Sequence, residues 1–441
     1  MSANHDWLQR SLDSVWHPCT QMKHHPALPL VPIASAEGIW LKDFEGKRYL
    51  DAISSWWVNL FGHGHPKINA AITDQLSKLE HVMLAGFTHQ PAVELAERLS
   101  AKTNGTLGHA FFASDGASAT EIALKMSFHA WQNRGQNHKQ EFVCLQGSYH
   151  GETLGALSVT DIALFRDAYA PLVRNEHVHL APSPDARLAQ PGETAEDVAN
   201  RAADALEQLF IARAGNIAAI ILEPLVQCAT GMAMHHPQYL KRVRALCDRY
   251  QAHLICDEIA VGFGRTGSFF AHEQADIRPD LLCLSKGISG GYLPLSVVLS
   301  SDAIYDAFWD DDVRRGFLHS HSYTGNPLAC RAALATLDIF DEEDVINHNR
   351  LLSQAISQSL QPVLAHPAVR HFRNTGMIWA MDIDTPQPDF SRRFFAEAMQ
   401  RGLLMRPIGK TVYLMPPYVL TAQDGQWLAA QMLAALNATL A

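Results

Sequence analysis

Asp280-Leu281-Leu282-Cys283-Leu284-Ser285-Lys286-Gly287-Ile288-Ser289-Gly290-Gly291 sets a charged amine at the end of a short apolar run. Leu281 to Leu284 suit a buried strand, and a glycine-rich turn follows Lys286. A lysine at the mouth of an α/β sheet is desolvated, so its pKa falls and its amine becomes a nucleophile. Taken alone, the stretch favours a plainer reading, a surface lysine on a loop after a strand.

Two more runs have the same form. Glu223 follows Ala218-Ala219-Ile220-Ile221-Leu222, and Asp257 follows Leu254-Ile255-Cys256. Ligands of open parallel sheets bind outside the carboxyl ends of strands. Three charged residues at successive strand ends therefore predict one shared site.

The surrounding pattern predicts the sheet. Strands are expected at Ala110–Ala113, Phe142–Leu145, Ile217–Leu222, His253–Cys256, Leu281–Leu284 and Leu295–Leu299. Helices are expected at Ser118–Trp131, over 185–212 and at Pro237–Tyr250. This alternation predicts an α/β fold with a mainly parallel central sheet and helices on both faces. Upstream, Trp7–Val15 is amphipathic, and Ile39–Asp43 with the turn Glu45-Gly46-Lys47 reads as a hairpin. Helical periodicity covers 66–84 and 91–102. A long helix is expected over 328–361, followed by a smaller α+β lobe. That lobe has strands at Met377–Ile383 and Val412–Met415 and helices at Phe390–Arg401 and Ala422–Leu440.

Composition narrows the class. At 441 residues the chain is too long for one hydrophobic core. A formal net charge of −10 with no basic run argues against nucleic acid. No apolar stretch reaches the roughly 20 residues of a membrane span. The first 30 residues lack the apolar run of a secretory signal, so a cytoplasmic protein is expected. The seven cysteines are scattered and form no CxxC pair, which fits a reduced compartment with neither disulfides nor zinc. Gly62-His63-Gly64-His65-Pro66 has no carboxylate or cysteine at matching spacing and reads as a structural loop, so no metal is expected.

Lysine and carboxylates at adjacent strand ends suit pyridoxal phosphate. The lysine forms a Schiff base with the cofactor aldehyde, and a carboxylate beside the pyridine nitrogen keeps the ring an electron sink. Asp257 is placed for that carboxylate. Phe112-Ala113-Ser114-Asp115-Gly116-Ala117-Ser118 opens a long helix, and the N–H groups of Gly116 and Ala117 there make an anion site for the phosphate. Ser118 and Glu121 have capping-box spacing. Tyr149, in Ser148-Tyr149-His150-Gly151, is an aromatic able to stack on a planar cofactor. Arg406 offers a fork for a carboxylate. Gly262-Phe263-Gly264-Arg265-Thr266-Gly267 satisfies G-x-G-x-x-G, the basis of a distant alternative, an NAD-dependent dehydrogenase. That fingerprint requires glycines directly after the strand and opening a helix. Here Asp257–Val261 intervenes and Pro279 leaves little room for a helix.

Taken together, Ser114-Asp115-Gly116-Ala117-Ser118, Tyr149-His150-Gly151, Asp257-Glu258-Ile259, Gly262–Gly267, Lys286-Gly287 and Gly325-Asn326-Pro327 resemble the class III, fold-type I pyridoxal-phosphate aminotransferases. The resemblance covers nearly the whole chain. Trp16-His17-Pro18, Ser54-Ser55-Trp56-Trp57 and Arg406-Pro407 with Tyr413–Tyr418 resemble the branch of that family that acts in biotin biosynthesis. It implies transfer of an amino group from S-adenosyl-L-methionine to 8-amino-7-oxononanoate. The alternatives are lysine as donor, or another class III enzyme acting on ω-amino acids or diamines.

The resemblance also implies roles. Lys286 is the Schiff-base lysine and proton shuttle, Asp257 the partner of the pyridine nitrogen, and Tyr149 the stacking ring. Gly116 and Ala117 hold phosphate, Glu223 lines the cofactor site, and Ser322 reaches phosphate from the partner subunit of a homodimer. Trp56, Trp57, Tyr149, Lys286, Ser320, Arg406 and Tyr413 bind substrate, Arg406 through its carboxylate. The implied division is an N-terminal segment 1–60, a large cofactor-binding domain 61–330 and a small α+β domain 331–441. The chain departs from the pattern in two places. Cys19 stands where the family often has tyrosine, and Ala117 lacks a hydroxyl that some members carry, leaving more of the phosphate binding to backbone donors.

Overall fold

The computed structural model describes residues 2–26, 28 and 30–441. Two compact units are present: the chain up to Pro66 together with His348–Ala441, and Lys67–Asn347. The boundary expected at 330 falls within the helix Pro327–Glu342, which stays in the larger unit.

The smaller unit opens with a helix, Ala3–Ser14, that buries none of its residues. Strands β1 (Ile33–Glu37), β2 (Trp40–Asp43) and β3 (Arg48–Asp51) follow as an antiparallel meander. The hairpin between β2 and β3 is built by Asp43, whose Oδ1 accepts the N–H of Glu45 at 3.0 Å and of Lys47 at 2.9 Å. A side chain that bonds the backbone two residues on mimics a turn.

The larger unit holds a seven-stranded sheet. Its strands are β4 (His109–Ala113), β5 (Glu141–Leu145), β6 (Val178–Ala181), β7 (Ile217–Leu222), β10 (His253–Asp257), β11 (Leu281–Leu284) and β12 (Ser296–Ser300). A two-residue ribbon, β8 (Val226–Gln227) with β9 (Ala233–Met234), lies outside it. The spatial order is β4-β12-β11-β10-β7-β5-β6, and only β12 runs against its neighbours. Every residue of β7, β10, β11 and β12 is buried, as expected of parallel strands covered on both faces. The helix Gly116–Asn133 packs Ile122, Ala123, Met126 and Ala130 into this core.

Four sequence expectations give way here, and one strand is added. The helix from residue 66 stops at Leu76, where Ser77 Oγ and the Gln75 amide bond backbone carbonyls of a turn instead. The helix expected over 328–361 is broken into Pro327–Glu342, Val345–Ser359 and Gln361–Leu364. The acidic run Asp341–Asp344 explains the first break, because negative charge opposes the dipole at a helix C-terminus and favours a new N-terminus. Ser118 and Glu121 form no capping box. Asp115 caps that helix, accepting from Ser118 N at 2.9 Å, while Glu121 Oε1 accepts from Gly155 N at 2.8 Å. The segment 185–212 becomes helical only at Ala195, behind a capping box of Thr194 and Asp197. Strand β6 was not foreseen, being short, polar in part and at the sheet edge.

The chain then completes the smaller unit with β13 (Val369–Thr375), β14 (Ile378–Ile383), β15 (Leu403–Leu404) and β16 (Thr411–Leu414). Strands β13, β14 and β16 form an antiparallel sheet, and β15 adds to β3 in parallel. Helix Ala422–Leu440 has the expected bounds, and Phe390–Gln400 ends one residue early, with Arg401 as its C-cap. Among the described residues no helix is long and apolar enough to cross a membrane.

Candidate active site

Strands β7, β10 and β11 are immediate neighbours, and they pair in parallel with Cys256 beside Leu222 and Asp257 beside Cys283. Their carboxyl ends therefore bring Glu223, Asp257 and Lys286 together. Asp257 is buried. Its Oδ2 lies 2.7 Å from His150 Nδ1, and its Oδ1 accepts the N–H of Ile259 at 3.1 Å. Glu223 accepts from Cys228 N at 3.0 Å and from Tyr149 N at 3.2 Å. Burial pushes its pKa up to about 7, with Asp257 adding to the shift and His150 opposing it. Burial also holds the Lys286 amine below the usual lysine range, against the pull of the Cys228 thiol, Asp257 and Glu223. Lys286 has φ 48°, a left-handed conformation that costs a non-glycine residue about 1–3 kcal/mol. Such strain persists only where the surroundings fix it, and here it aims the side chain after the strand.

The anion cradle adjoins this group. Gly116 and Ala117 occupy the first positions of their helix, where backbone N–H groups have no intrahelical partner. A Cβ on Gly116 would meet Ile259 Cγ2 at 2.9 Å, so the helix start sits tightly against the residue two beyond Asp257. Gly151 has φ 119°, and a Cβ there would meet Ala117 Cβ at 2.5 Å. The loop carrying Tyr149 and His150 therefore lies on the same cradle. Tyr149 is half-buried, and its hydroxyl donates to Glu152 at 2.8 Å. An amine of lowered pKa, a buried carboxylate and paired N–H donors at a helix start fit the aldehyde, ring nitrogen and phosphate of pyridoxal phosphate. Among the described residues, no group of three or more His, Cys, Asp or Glu is arranged to hold a metal ion.

His150 was missed as a partner of Asp257. Its position in Tyr149-His150-Gly151 was the available signal, but a histidine after a strand has no periodic signature. The pair Glu258 and His272 was missed as well. Glu258 Oε1 lies 2.7 Å from His272 Nδ1, and its carboxylate accepts the N–H groups of Ala271 and His272. These bonds fold the Gly262–Gly267 stretch back as a series of turns. No helix begins there, so the dinucleotide fingerprint is not realised.

The remaining predicted residues fall in two places. Ser320 and Ser322 are exposed in the larger unit, on the segment whose His321 Nδ1 lies 3.5 Å from Ser114 Oγ, two residues before Gly116. Trp56, Trp57, Arg406 and Tyr413 belong to the smaller unit. Trp56 is 42% exposed, with the Arg406 guanidinium 4.9 Å from its ring centre. Arg406 Nη2 also donates to the Cys19 carbonyl at 2.8 Å. Trp57 and Tyr413 are buried instead, and Trp57 Nε1 donates to Tyr413 Oη at 3.1 Å. Of the three aromatic residues expected to bind substrate, Trp56 is exposed, whereas Trp57 and Tyr413 are buried against each other.

Comparisons with known proteins identify the family. The family model for class-III aminotransferases matches residues 21–436. The chain is 45% identical over 420 residues to the adenosylmethionine-8-amino-7-oxononanoate aminotransferase of Helicobacter pylori, covering 94% of this chain and 93% of the relative. It is 38% identical to the enzyme of that name from Aquifex aeolicus, covering 93% and 92%. The crystal structure of the Methanocaldococcus jannaschii enzyme of that name superposes with a TM-score of 0.91 at 32% identity, covering 98% of this chain and 99% of that one. An omega transaminase from Pseudomonas jessenii in complex with PMP superposes with a TM-score of 0.93 at 27% identity, covering 98% of both.

Proposed function

The chain belongs to the class-III aminotransferase family, and from that membership we propose that it moves an amino group from S-adenosyl-L-methionine to 8-amino-7-oxononanoate, giving 7,8-diaminononanoate for biotin biosynthesis. The observation that carries this reading is the run of relatives of that name along nearly the full chain, joined to a lysine and two carboxylates at adjacent strand ends. The cofactor is pyridoxal phosphate. When bound, it supplies an aldehyde carbon that takes the substrate amine and a ring that accepts electron density.

The residues divide the work as follows. Gly116 and Ala117 N–H groups bind phosphate, with the helix dipole behind them. Asp257, oriented by His150, holds a proton on the ring nitrogen by its negative charge. Tyr149 flanks the ring, and Glu223 fixes the Tyr149 backbone. Lys286 Nζ would take the proton from the donor's α-carbon and give it up within the same half-reaction to the carbon the cofactor aldehyde supplies, and it would run that transfer backward in the return half. A lysine of ordinary pKa is protonated at neutral pH and cannot take that proton, so desolvation of Lys286 is what makes it a base. Arg406 binds substrate carboxylate, and Trp56 walls the carbon chain. In this reading the enzyme is a cytoplasmic homodimer, Ser322 reaches the phosphate across the subunit boundary, and Ser320 contacts substrate.

The test is a pair of half-reactions on the holoenzyme. S-adenosyl-L-methionine alone should discharge the yellow colour of the lysine-bound cofactor, and 8-amino-7-oxononanoate should restore it. Discharge by lysine but not by S-adenosyl-L-methionine would reassign the donor.

A further inference from the structure

Ser54, Ser55, Trp56 and Trp57 have φ values of 51°, 45°, 72° and 74°. Four consecutive non-glycine residues form one left-handed helical turn, at a cost on the order of 1–2 kcal/mol per residue. Glycine adopts this backbone without that penalty. Here the Ser54 and Ser55 hydroxyls and the Trp57 ring make hydrogen bonds that glycine could not supply.

The turn is held by Asp51, whose side chain is fully buried. Asp51 Oδ1 accepts the N–H of Ser55 at 2.9 Å and of Ile53 at 3.4 Å, while Oδ2 accepts the Ser55 hydroxyl at 2.6 Å and lies 3.1 Å from His63 Nε2. Two further bonds fix the far side, from Ser54 Oγ to the Met415 carbonyl at 2.8 Å and from Trp57 Nε1 to Tyr413 Oη. Register explains what the turn is aimed at. Strand β15 pairs in parallel with β3, Leu404 beside Asp51, so both chains leave the same end of that sheet. One leads into the turn and the other into Arg406.

We propose that Asp51 is a positioning residue for substrate recognition: its carboxylate holds the left-handed turn that sets the Trp56 ring against the Arg406 guanidinium and so aims the arginine at the substrate carboxylate. The proposal rests on the reading of Arg406 as the carboxylate-binding group. A cation packed on an aromatic face loses rotational freedom as well as gaining attraction. With one N–H committed to the Cys19 carbonyl, the arginine keeps further donors for a planar carboxylate.

The test uses holoenzyme and steady-state kinetics with 8-amino-7-oxononanoate. In Asp51→Asn the side-chain nitrogen replaces one acceptor, and the Ser55 hydroxyl and His63 lose their partner. KM should rise by about tenfold, with kcat and the visible absorbance of the bound cofactor retained. Ser55→Gly keeps the favoured φ and the N–H bond but removes the hydroxyl. It should raise KM by roughly threefold without lowering Tm, and it carries the test if Asp51→Asn does not fold. In an Arg406→Ala background, Asp51→Asn should add nothing to KM, because both changes act through one group. Additive effects, or an unchanged KM in both Asp51→Asn and Ser55→Gly, would overturn the positioning role. An unchanged KM in Arg406→Ala alone would overturn the arginine reading and this inference with it.

Discussion

In the larger unit, Glu223, Asp257 and Lys286 each stand at the end of a fully buried parallel strand, and neighbouring strands bring them together. In the smaller unit, Trp56 stands on a left-handed turn, and a carboxylate clamp and β15 bring it to Arg406. The first arrangement relies on strand register, with left-handed backbone confined to Lys286, and shifts the chemistry of Glu223 and Lys286 through burial. The second uses strained backbone and leaves its side chains partly exposed. The difference suits the two tasks. Proton transfer needs desolvated groups of altered pKa, whereas recognition of a solvated carboxylate needs an aimed, accessible cation.

Substitutions separate the two regions by which kinetic constant they move. Lys286→Ala removes the proton carrier and should lower kcat on the order of ten-thousand-fold, while phosphate-cradle binding of the cofactor persists in equilibrium dialysis. Asp257→Asn removes the charge that holds the ring proton, and a loss in kcat of roughly a hundredfold is expected by single-turnover kinetics. Arg406→Ala should leave kcat nearly intact and raise KM for 8-amino-7-oxononanoate by about thirtyfold, the scale of a hydrogen bond to a charged group. If Arg406→Ala lowered kcat and Lys286→Ala raised only KM, the division of labour would be reversed.

The smallest effect concerns stability. The folded pKa of Glu223 is raised to about 7 from an ordinary 4.5, so its protonated form favours the folded apoprotein. That contribution is fully present below the ordinary carboxyl range and is lost as pH rises through about 7. Glu223→Gln removes the dependence. Its Tm relative to the unaltered apoprotein should increase between pH 5 and pH 8 by a few degrees, on the order expected for one buried group. A difference independent of pH would show that Glu223 stays ionised in the fold.

The contrast also explains what the sequence made legible. Strands buried on both faces are continuous apolar runs, so β7, β10 and β11 and the charges closing them stand out in the chain. The helix start at Gly116 is legible because small residues follow a short apolar strand there. Its cap was misassigned because Asp115, Ser118 and Glu121 all offer polar side chains at plausible spacing, and only tertiary contact with Gly155 claims Glu121. Nothing local marks Ser54–Trp57 as left-handed. Its conformation depends on Asp51, His63 and the distant Met415 and Tyr413, and a pattern of two serines and two tryptophans suits several backbones. An aromatic residue in sequence likewise does not say which way it faces, so the burial of Trp57 and Tyr413 beside an exposed Trp56 is visible only in the fold.

The central claim is that a desolvated Lys286 carries amino transfer from S-adenosyl-L-methionine. The most direct measurement is rapid mixing of holoenzyme with S-adenosyl-L-methionine across a range of pH, following the visible absorbance. Single-turnover bleaching is expected, with a rate that rises with pH and levels off below the ordinary lysine pKa, and with the colour restored by 8-amino-7-oxononanoate. A bleaching rate that climbs without levelling through the ordinary lysine range, or no bleaching at any pH, would contradict it.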